Sequence, residues 1–197
     1  MKLLKFFGVE KKEPPHNDDS NVLHLWEDDY LMIELLPSDN VDFVINEARR
    51  INNFGEGHFD GAGFTDITPV GKKPFKTIEK LIDISEAVKV MVEAGLERIQ
   101  RIHMQGVGLL VEEKAPLGFG THNFAVLFET EEKLVRDIWL AGHVRNKEEQ
   151  EKLTAALLLF GKEYNFILVN WDKCEYYDLR AQNKIEEFIE SISSQFG

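Results

Sequence analysis

Cysteine is almost absent from this sequence, which has a single thiol, Cys174, among 197 residues. One thiol cannot form an internal disulfide, and zinc sites built from cysteine pairs are excluded for the same reason. Asp172 and Glu175 flank the thiol, and their negative charges should raise its pKa and so discourage thiolate chemistry. We therefore expect a protein of a reducing compartment, and a cytoplasmic location fits best.

Long apolar segments are also missing. The longest, AALLLFG at 155–161, has seven residues, whereas a membrane-spanning helix needs about 20, so we expect no membrane span. The N-terminus MKLLKFFGVEKK begins like a signal peptide, but Lys5 interrupts its apolar part, and we do not expect secretion. Residues 2–7 leave two options open, which are a basic amphipathic turn on a membrane surface and a short helix docked on the protein body.

Basic residues are too few to balance the acidic ones. Lysine and arginine number 23 against 35 aspartates and glutamates, which gives a formal net charge of −12 at pH 7. A surface of this sign repels a phosphate backbone, so we do not expect a nucleic-acid partner. The same surface attracts a basic protein partner. A negative net charge is also typical of proteins in which the charge only maintains solubility.

The strong catalytic and cofactor motifs are absent. The sequence contains no P-loop, no HExxH, no pair of CxxC motifs, no GxSxG and no EF-hand loop. The glycine-rich GVG at 106–108 and GFG at 118–120 lack the context of a phosphate loop and are interpreted as turns. We therefore assign no catalytic residue, no metal ligand and no cofactor, and we favour a non-enzymatic protein.

The composition is that of one folded domain with a polar extension. Apolar residues make up 43% of the chain and charged residues 29%, which is the balance of a globular protein. The segment EKKEPPHNDDSN at 10–21 is charged, contains a proline pair and has almost no apolar side chain. We predict an N-terminal turn and mobile linker over 1–21 and a single domain over 22–197.

Pairs of apolar runs separated by short polar turns predict β-hairpins. The three pairs are VLHLW with YLMIELL (22–26 and 30–36), NFAVLFET with LVRDIWLAG (123–130 and 134–142), and FILVNW with EYYDL (166–171 and 175–179). A helix from residue 131 is the alternative for the second pair. The segment 97–113 is interpreted as extended, with a continued helix as its alternative.

Apolar residues at helical spacing predict four helices. Their predicted positions are 40–51, Ser85 to Gly95, Asn146 to Gly161, and a closing helix that buries Ile185, Phe188, Ile189 and Ile192. Ser38 or Asp39 is the expected N-cap of the first helix, and Asn146 with Glu149 resembles a capping box at the start of the third. The predicted fold class is α+β, with a mostly antiparallel sheet built from hairpins and covered on one side by helices.

The segment NNFGEGHFDGAGFTDI, residues 52–67, combines four glycines, three phenylalanines and one histidine. His58 and Asp60 alternate in it, so in an extended segment both side chains point to one side and could bind a metal or a water. A third ligand would have to come from a distant histidine: His103, His122 or His143. The other interpretation is a connector whose glycines allow unusual backbone angles and whose phenylalanines anchor it in the core.

The acidic tripeptide Glu27-Asp28-Asp29 lies between Trp26 and Tyr30. Trp and Tyr are common anchors of protein interfaces, and acidic side chains beside them attract a basic partner. For Trp26, Trp139 and Trp171 we favour burial in the core, and a partly exposed interface anchor is the alternative for Trp26 and Trp171, which lie near hairpin ends. Further acidic runs occur at 18–19, 112–113, 129–132 and 148–149, and together on one face they would form a negative patch. The predicted binding residues are Trp26, Glu27, Asp28, Asp29, Tyr30, His58 and Asp60.

The closing segment FILVNWDKCEYYDLRAQNKIEEFI, residues 166–189, is predicted to form two strands around a short turn and then an amphipathic helix. It resembles the C-terminal end of several bacterial cytosolic immunity proteins of polymorphic toxin systems. The resemblance covers about an eighth of the chain. It implies a small α+β domain that binds and neutralises a cognate toxin, and it identifies no individual binding residue.

We therefore expect a non-enzymatic acidic binding protein, in its most specific form an immunity protein that contacts a basic toxin. The alternative is a metal-dependent hydrolase or another small-molecule enzyme that uses the glycine and aromatic loop 54–66. A regulatory or scaffold module is a third class, and it would form oligomers. The sequence leaves the oligomeric state open.

Overall fold

The computed structural model describes residues 22–26, 29–63, 65–104, 108–111 and 116–193. The predicted linker 1–21 and the acidic residues Glu27 and Asp28 lie outside the described residues. The strands are β1 (Val22–Leu25), β2 (Ile33–Pro37), β3 (Glu97–Ile99), β4 (Arg101–Met104), β5 (Gly108–Val111), β6 (Leu117–Gly120), β7 (Phe124–Glu131), β8 (Leu134–Gly142), β9 (Phe166–Asn170) and β10 (Glu175–Asp178). The helices are α1 (Val41–Gly57), α2 (Ile84–Glu93), α3 (Lys147–Tyr164) and α4 (Gln182–Ser193), and short 3-10 helices cover Ser38–Asn40 and Thr77–Lys80.

A seven-stranded sheet forms the centre of the molecule, with the strand order β10-β9-β2-β8-β7-β6-β3. Every neighbouring pair in this sheet is antiparallel. The pairs β7 with β8 and β9 with β10 are hairpins, which confirms two of the three predicted hairpins and removes the helix alternative at residue 131. The α+β class with a mostly antiparallel sheet is confirmed.

Side chains alternate across the large sheet and form cores on both of its faces. On β9, Phe166 and Leu168 lie in the core beneath three helices, whereas Ile167 and Val169 lie in a core on the opposite face. Helices α2, α3 and α4 cover the first face, and α1 packs on the second face beside β9. The expectation that helices cover only one side is incomplete, because both faces of the sheet are apolar and both have to be covered.

The rest of the second face is covered by a three-stranded sheet with the order β1-β4-β5. Strand β1 pairs in parallel with β4, and β4 and β5 form a hairpin, so the described part of 97–113 is extended as predicted. Leu23, Leu25 and Ile102 pack from this sheet towards Trp139 of the large sheet. The predicted hairpin between β1 and β2 is wrong, because the apolar side chains of β1 bury against the second face and place β1 in a different layer from β2.

Helices α3 and α4 pack as their apolar patterns predict. The predicted stripes of α3 and α4 are buried at Leu153, Ala156, Leu157, Phe160, Ile185, Phe188, Ile189 and Ile192. The Asn146 side chain caps α3 by accepting a hydrogen bond from Glu149 N at 2.9 Å, and this helix continues to Tyr164. The cap of α2 is Asp83, which accepts from Ser85 N at 2.8 Å, and not Ser85 itself. Among the described helices, none has the length and apolar character needed to cross a membrane.

Helix α1 differs from its prediction at both ends. It continues to Gly57, so the first part of the glycine segment is helical and is not a loop. Neither Ser38 nor Asp39 caps it, because both lie in a 3-10 turn and Asn40 is the residue before the helix. The buried Asn40 amide instead donates a hydrogen bond to the Phe75 carbonyl at 2.9 Å. A tertiary contact that ties the following loop to the sheet has replaced the expected local cap.

Candidate functional site

The connection between β1 and β2, residues 26–32, carries most of the predicted binding residues. Backbone hydrogen bonds from Asp29 N to the Trp26 carbonyl (3.1 Å) and from Met32 N to the Asp29 carbonyl (3.3 Å) close it. The Asp29 carboxylate also accepts from Trp26 N at 2.8 Å. Trp171 N donates to the Met32 carbonyl at 2.9 Å, which ties the connection to the turn after β9. These bonds hold Trp26, Asp29 and Met32 in place at one end of the large sheet.

Three large side chains of this connection are exposed. The exposed fractions are 62% for Trp26, 43% for Tyr30 and 37% for Met32. The Tyr30 ring stands edge-on against Trp139, with ring centroids 5.3 Å apart, so one side of the ring is supported by the core. Trp139 and Trp171 are buried. Of the three tryptophans, Trp26 is therefore the one that is open to a partner.

A cavity of about 280 Å³ opens beside the connection. Asp29 and Met32 line it from the connection, and Asp172 and Lys173 line it from the turn between β9 and β10. The Lys173 ammonium donates to the Ser191 carbonyl at 2.8 Å and so is drawn towards α4. The neighbouring Cys174 thiol is the one predicted to be unreactive. Its pKa is raised mainly by burial and further by the charge of Asp172. We call the surface formed by Trp26, Asp29, Tyr30, Met32 and Asp172 the contact face.

Glu34 of β2 and Lys73 form a buried ion pair. It lies on the same face of the large sheet as Trp139, which supports the Tyr30 ring. Glu34 is 3% exposed, and one of its carboxylate oxygens accepts a hydrogen bond from Lys73 Nζ at 2.7 Å. Its other oxygen accepts from Trp171 Nε1 at 3.3 Å. Burial raises the pKa of Glu34, while the Lys73 ammonium acts in the opposite direction. Since Glu34 pairs in register with Trp139, the ion pair ties the loop that carries Lys73 to the layer behind the contact face.

The pair of Glu34 and Lys73 has only a partial signal in the sequence. The available signal was a carboxylate inside the apolar run IELLP of β2, where an unpaired charge would be costly. The cation lies 39 residues away in a loop. No local pattern connects the two residues, so the sequence could indicate that Glu34 needs a partner but could not identify it.

His58 and Asp60 are each engaged in local contacts. Nδ1 of His58 lies 2.8 Å from the Phe54 carbonyl oxygen, and the His58 ring stacks on the Phe54 ring with centroids 3.9 Å apart. One oxygen of Asp60 accepts hydrogen bonds from Ala62 N at 2.9 Å and Gly63 N at 3.0 Å, and these bonds lower the pKa of Asp60. The arrangement is that of an aspartate that stabilises a turn beside a histidine packed at a helix end.

The rest of the glycine segment supports the connector interpretation only in part. Gly61 has a positive φ of 96°, whereas Gly57 and Gly63 do not adopt this conformation. Phe59 is 55% exposed, so the expectation that it anchors the segment in the core is wrong, and Phe64 lies outside the described residues. Within the described ranges, no three His, Cys, Asp or Glu side chains are grouped so that they could hold a metal ion. Of the candidate third ligands, His103 lies on β4, while His122 and His143 line two different clefts.

The acidic runs do not gather on one side of the molecule. The registers of β2 with β8 and of β8 with β7 place the turn at 129–132 at the end of the large sheet opposite to Asp29. Several carboxylates are also used in ion pairs: Glu129 and Asp137 with Arg136, and Glu148 with Lys152. The runs 18–19, 27–28 and 112–113 lie outside the described residues. In the described part of the chain, the negative charge of the contact face comes from Asp29 and Asp172.

Comparison with known proteins does not assign the chain to a family. No family model matches it, and neither a curated protein nor a solved structure matches it significantly. The segment 166–189 has the two strands and the helix that its resemblance to immunity proteins implies. That order is shared by many unrelated α+β domains, so the resemblance stays a prediction.

Proposed function

We propose that the chain is a non-enzymatic binding protein whose contact face recognises another protein. The observation that carries the proposal is the exposure of Trp26, Tyr30 and Met32 within one short connection. Large apolar side chains that are exposed together often mark an interaction site, and Trp and Tyr supply much of the free energy at interfaces. Burial of Trp26 and Met32 would provide an apolar centre, with the Tyr30 hydroxyl at its edge.

The contact face is ordered before a partner arrives. The hydrogen bonds of Asp29 and Met32 hold the described residues of the connection, and the Trp139 ring supports Tyr30 from behind. A preformed surface loses less conformational entropy on association than a mobile one. The exposed side chains of the connection can therefore contribute more of their burial free energy to affinity.

The charge of the contact face favours a basic partner. Asp29 and Asp172 place two carboxylates around the cavity beside Met32, and the whole chain has a net charge of −12. Lys or Arg side chains on the partner would meet these carboxylates. Attraction of this kind accelerates association and is weakened by salt, since the screening length is about 8 Å at physiological ionic strength.

In its most specific form, the proposal is an immunity protein of the bacterial cytoplasm that neutralises a cognate basic toxin. The order of elements in 166–189, the single cysteine and the negative charge support this form. Binding over a basic cleft would block access of substrate to the toxin. Such inhibition needs no reactive group in the inhibitor.

The direct test is binding to the basic proteins encoded beside this gene, measured by isothermal titration calorimetry with purified chains. We expect one of them to bind and to lose its toxic activity on binding. Trp26→Ala and Tyr30→Ala should each weaken affinity by about tenfold or more, because an interface anchor contributes about 2 kcal/mol. Raising the salt concentration should slow association.

Phe75→Ala is the matched control for these variants. Phe75 is 47% exposed and is tied through its backbone to Asn40, beyond the opposite end of β2 from the contact face. Its replacement should leave affinity unchanged. Equal losses from Trp26→Ala and Phe75→Ala, or no binding by any neighbouring basic protein, would contradict the proposal.

A further inference from the structure

A polar cleft of about 480 Å³ lies at the β3 edge of the large sheet. Its walls come from β3 and the residue that leads into β4, from the turn between β6 and β7, and from α3. Three cations and an imidazole line it: Arg98, Arg101, Lys152 and His122. We call it the cationic cleft.

This concentration of positive charge stands out in a chain with 23 basic and 35 acidic residues. Glu97 also lines the cleft, Glu148 pairs with Lys152 at 2.7 Å, and the charge of Glu149 also acts on Lys152, so three carboxylates partly offset the cations. Arg98 is exposed and has no ion-pair partner among the described residues. A guanidinium of this kind is suited to bidentate binding of a phosphate or a carboxylate.

Partly buried hydrogen bonds hold the turn between β6 and β7, which lines the cleft. Thr121 Oγ1 and Asn123 Nδ2 donate to the same oxygen of buried Glu149, at 2.9 and 2.8 Å. Thr121 N donates to the Phe124 carbonyl at 2.8 Å. The backbone on both sides of His122 is therefore fixed, and a ligand would meet a preformed wall.

The edge of the sheet adds neutral donors to the cleft. Strand β3 pairs with β6 on one side, and no other described strand pairs with its outer side. Outward backbone N–H groups of an edge strand can donate hydrogen bonds to a bound group. Gln100 lines the same space. The lining thus combines cations with neutral donors, which is what a multiply charged anion requires.

We propose that the cationic cleft binds a small polyanion that carries phosphate or carboxylate groups. A volume of about 480 Å³ suits a small molecule, and the cationic lining selects for negative charge. The proposal does not depend on the function of the contact face. Four strand spacings of about 4.8 Å each separate β3 from β2 in the sheet.

The test uses the full chain and two probes, pyrophosphate and citrate, titrated separately by calorimetry at constant ionic strength. We expect at least one probe to bind with one site per chain. Arg98→Gln should weaken that binding by about tenfold or more, because it removes charge-assisted hydrogen bonds. Tighter binding of pyrophosphate would assign a phosphate ligand, and tighter binding of citrate would assign a carboxylate ligand.

Arg49→Gln is the matched control, since it removes the same charge from an exposed position on α1. It should leave binding of the probe unchanged. Lys152→Gln should also weaken binding, and it keeps the test valid should Arg98→Gln fail to fold. The proposal is overturned by no binding of either probe at millimolar concentration, by equal losses from Arg49→Gln and Arg98→Gln, or by binding of hexaglutamate peptide in place of both probes.

Discussion

Replacing Lys73 with methionine should destabilise the protein strongly at neutral pH. The change removes the ammonium 2.7 Å from Glu34 and leaves a carboxylate that is 3% exposed, with Trp171 Nε1 at 3.3 Å as a weaker donor. Loss of one partner from a fully buried pair costs about 3 to 5 kcal/mol. The Lys73 side chain is 23% exposed, so water already screens part of the interaction. We expect the free energy of unfolding to fall by about 2 to 3 kcal/mol.

The loss should become smaller as the pH falls. Burial raises the pKa of Glu34 above its ordinary value of 4.5, and removal of Lys73 should raise it further because the ammonium acts to lower it. The folded state then binds the proton more tightly than the unfolded state. Stability therefore falls as the pH rises from 4.5 through the folded pKa, and it falls more for the variant. Below pH 4.5 the Glu34 carboxyl is protonated and therefore needs no cation beside it.

Urea unfolding followed by tryptophan fluorescence measures this effect, because Trp139 and Trp171 are buried. Lys72→Met is the matched control, since Lys72 is exposed and its loss should change stability by less than about 0.5 kcal/mol. Glu34→Leu combined with Lys73→Met removes both charges and should recover much of the stability. The reasoning is refuted if Lys73→Met costs no more than Lys72→Met, or if its cost is the same in acid as at neutral pH.

Gly161→Ala should lower the free energy of unfolding in urea by about 1 to 3 kcal/mol, because a Cβ there would overlap the Leu179 backbone. Gly57→Ala is the control, since its Cβ meets open space and the change should be neutral or stabilising. Equal effects of the two substitutions on stability would contradict this packing. Glu149→Gln should cost about 1.5 to 3 kcal/mol at neutral pH, since the buried carboxylate accepts three hydrogen bonds. Burial acts to raise the pKa of Glu149, but these bonds lower it from its ordinary value of 4.5. The difference in stability between wild type and variant should therefore disappear as the pH falls from 4.5 through the folded pKa. A difference that stays constant with pH would contradict this role of the carboxylate. His58→Ala should not change the metal content found by elemental analysis, and bound metal lost on this substitution would support the enzyme alternative.

The elements that the sequence predicts correctly are those that local patterns determine. Helix α3 has its cap at Asn146, a glutamate three residues later and an apolar stripe, all within one continuous segment. The hairpins β7–β8 and β9–β10 join apolar runs across short polar turns. Neighbouring residues are sufficient to specify such elements, so their prediction needs no knowledge of distant parts of the chain.

The wrong predictions occur where distant residues decide the structure. Strand β1 lies next to β2 in the chain, yet Leu23 pairs with Ile102 of β4 because the apolar side of β1 covers the Trp139 face of the large sheet. Asn40 bonds to Phe75 and does not cap α1 with its side chain. Tertiary burial outweighs local preference at both positions.

The candidate sites show the same division. Trp26 and Tyr30 are candidate binding residues in the sequence because two aromatic residues flank an acidic turn. The sequence does not distinguish the burial of Trp171 from the exposure of Trp26, since both tryptophans end apolar strand segments and only tertiary packing separates them. The cationic cleft gave no sequence signal, because its cations come from β3, β4 and α3 and meet only in the folded chain.

In a chain with a net charge of −12, two carboxylates lie around the cavity of the contact face and three cations line the cationic cleft. Both surfaces lie at the same end of the large sheet, where β2 begins and where Glu97 pairs with Gly120. Substitutions at distant, independent sites have additive effects. Arg98→Gln should therefore leave the affinity for a protein partner unchanged, and Trp26→Ala should leave the affinity for a polyanion unchanged. A protein partner that loses affinity in both variants would instead require one interface that runs from the connection 26–32 across the sheet end to β3, with the cationic cleft receiving an acidic group of that partner.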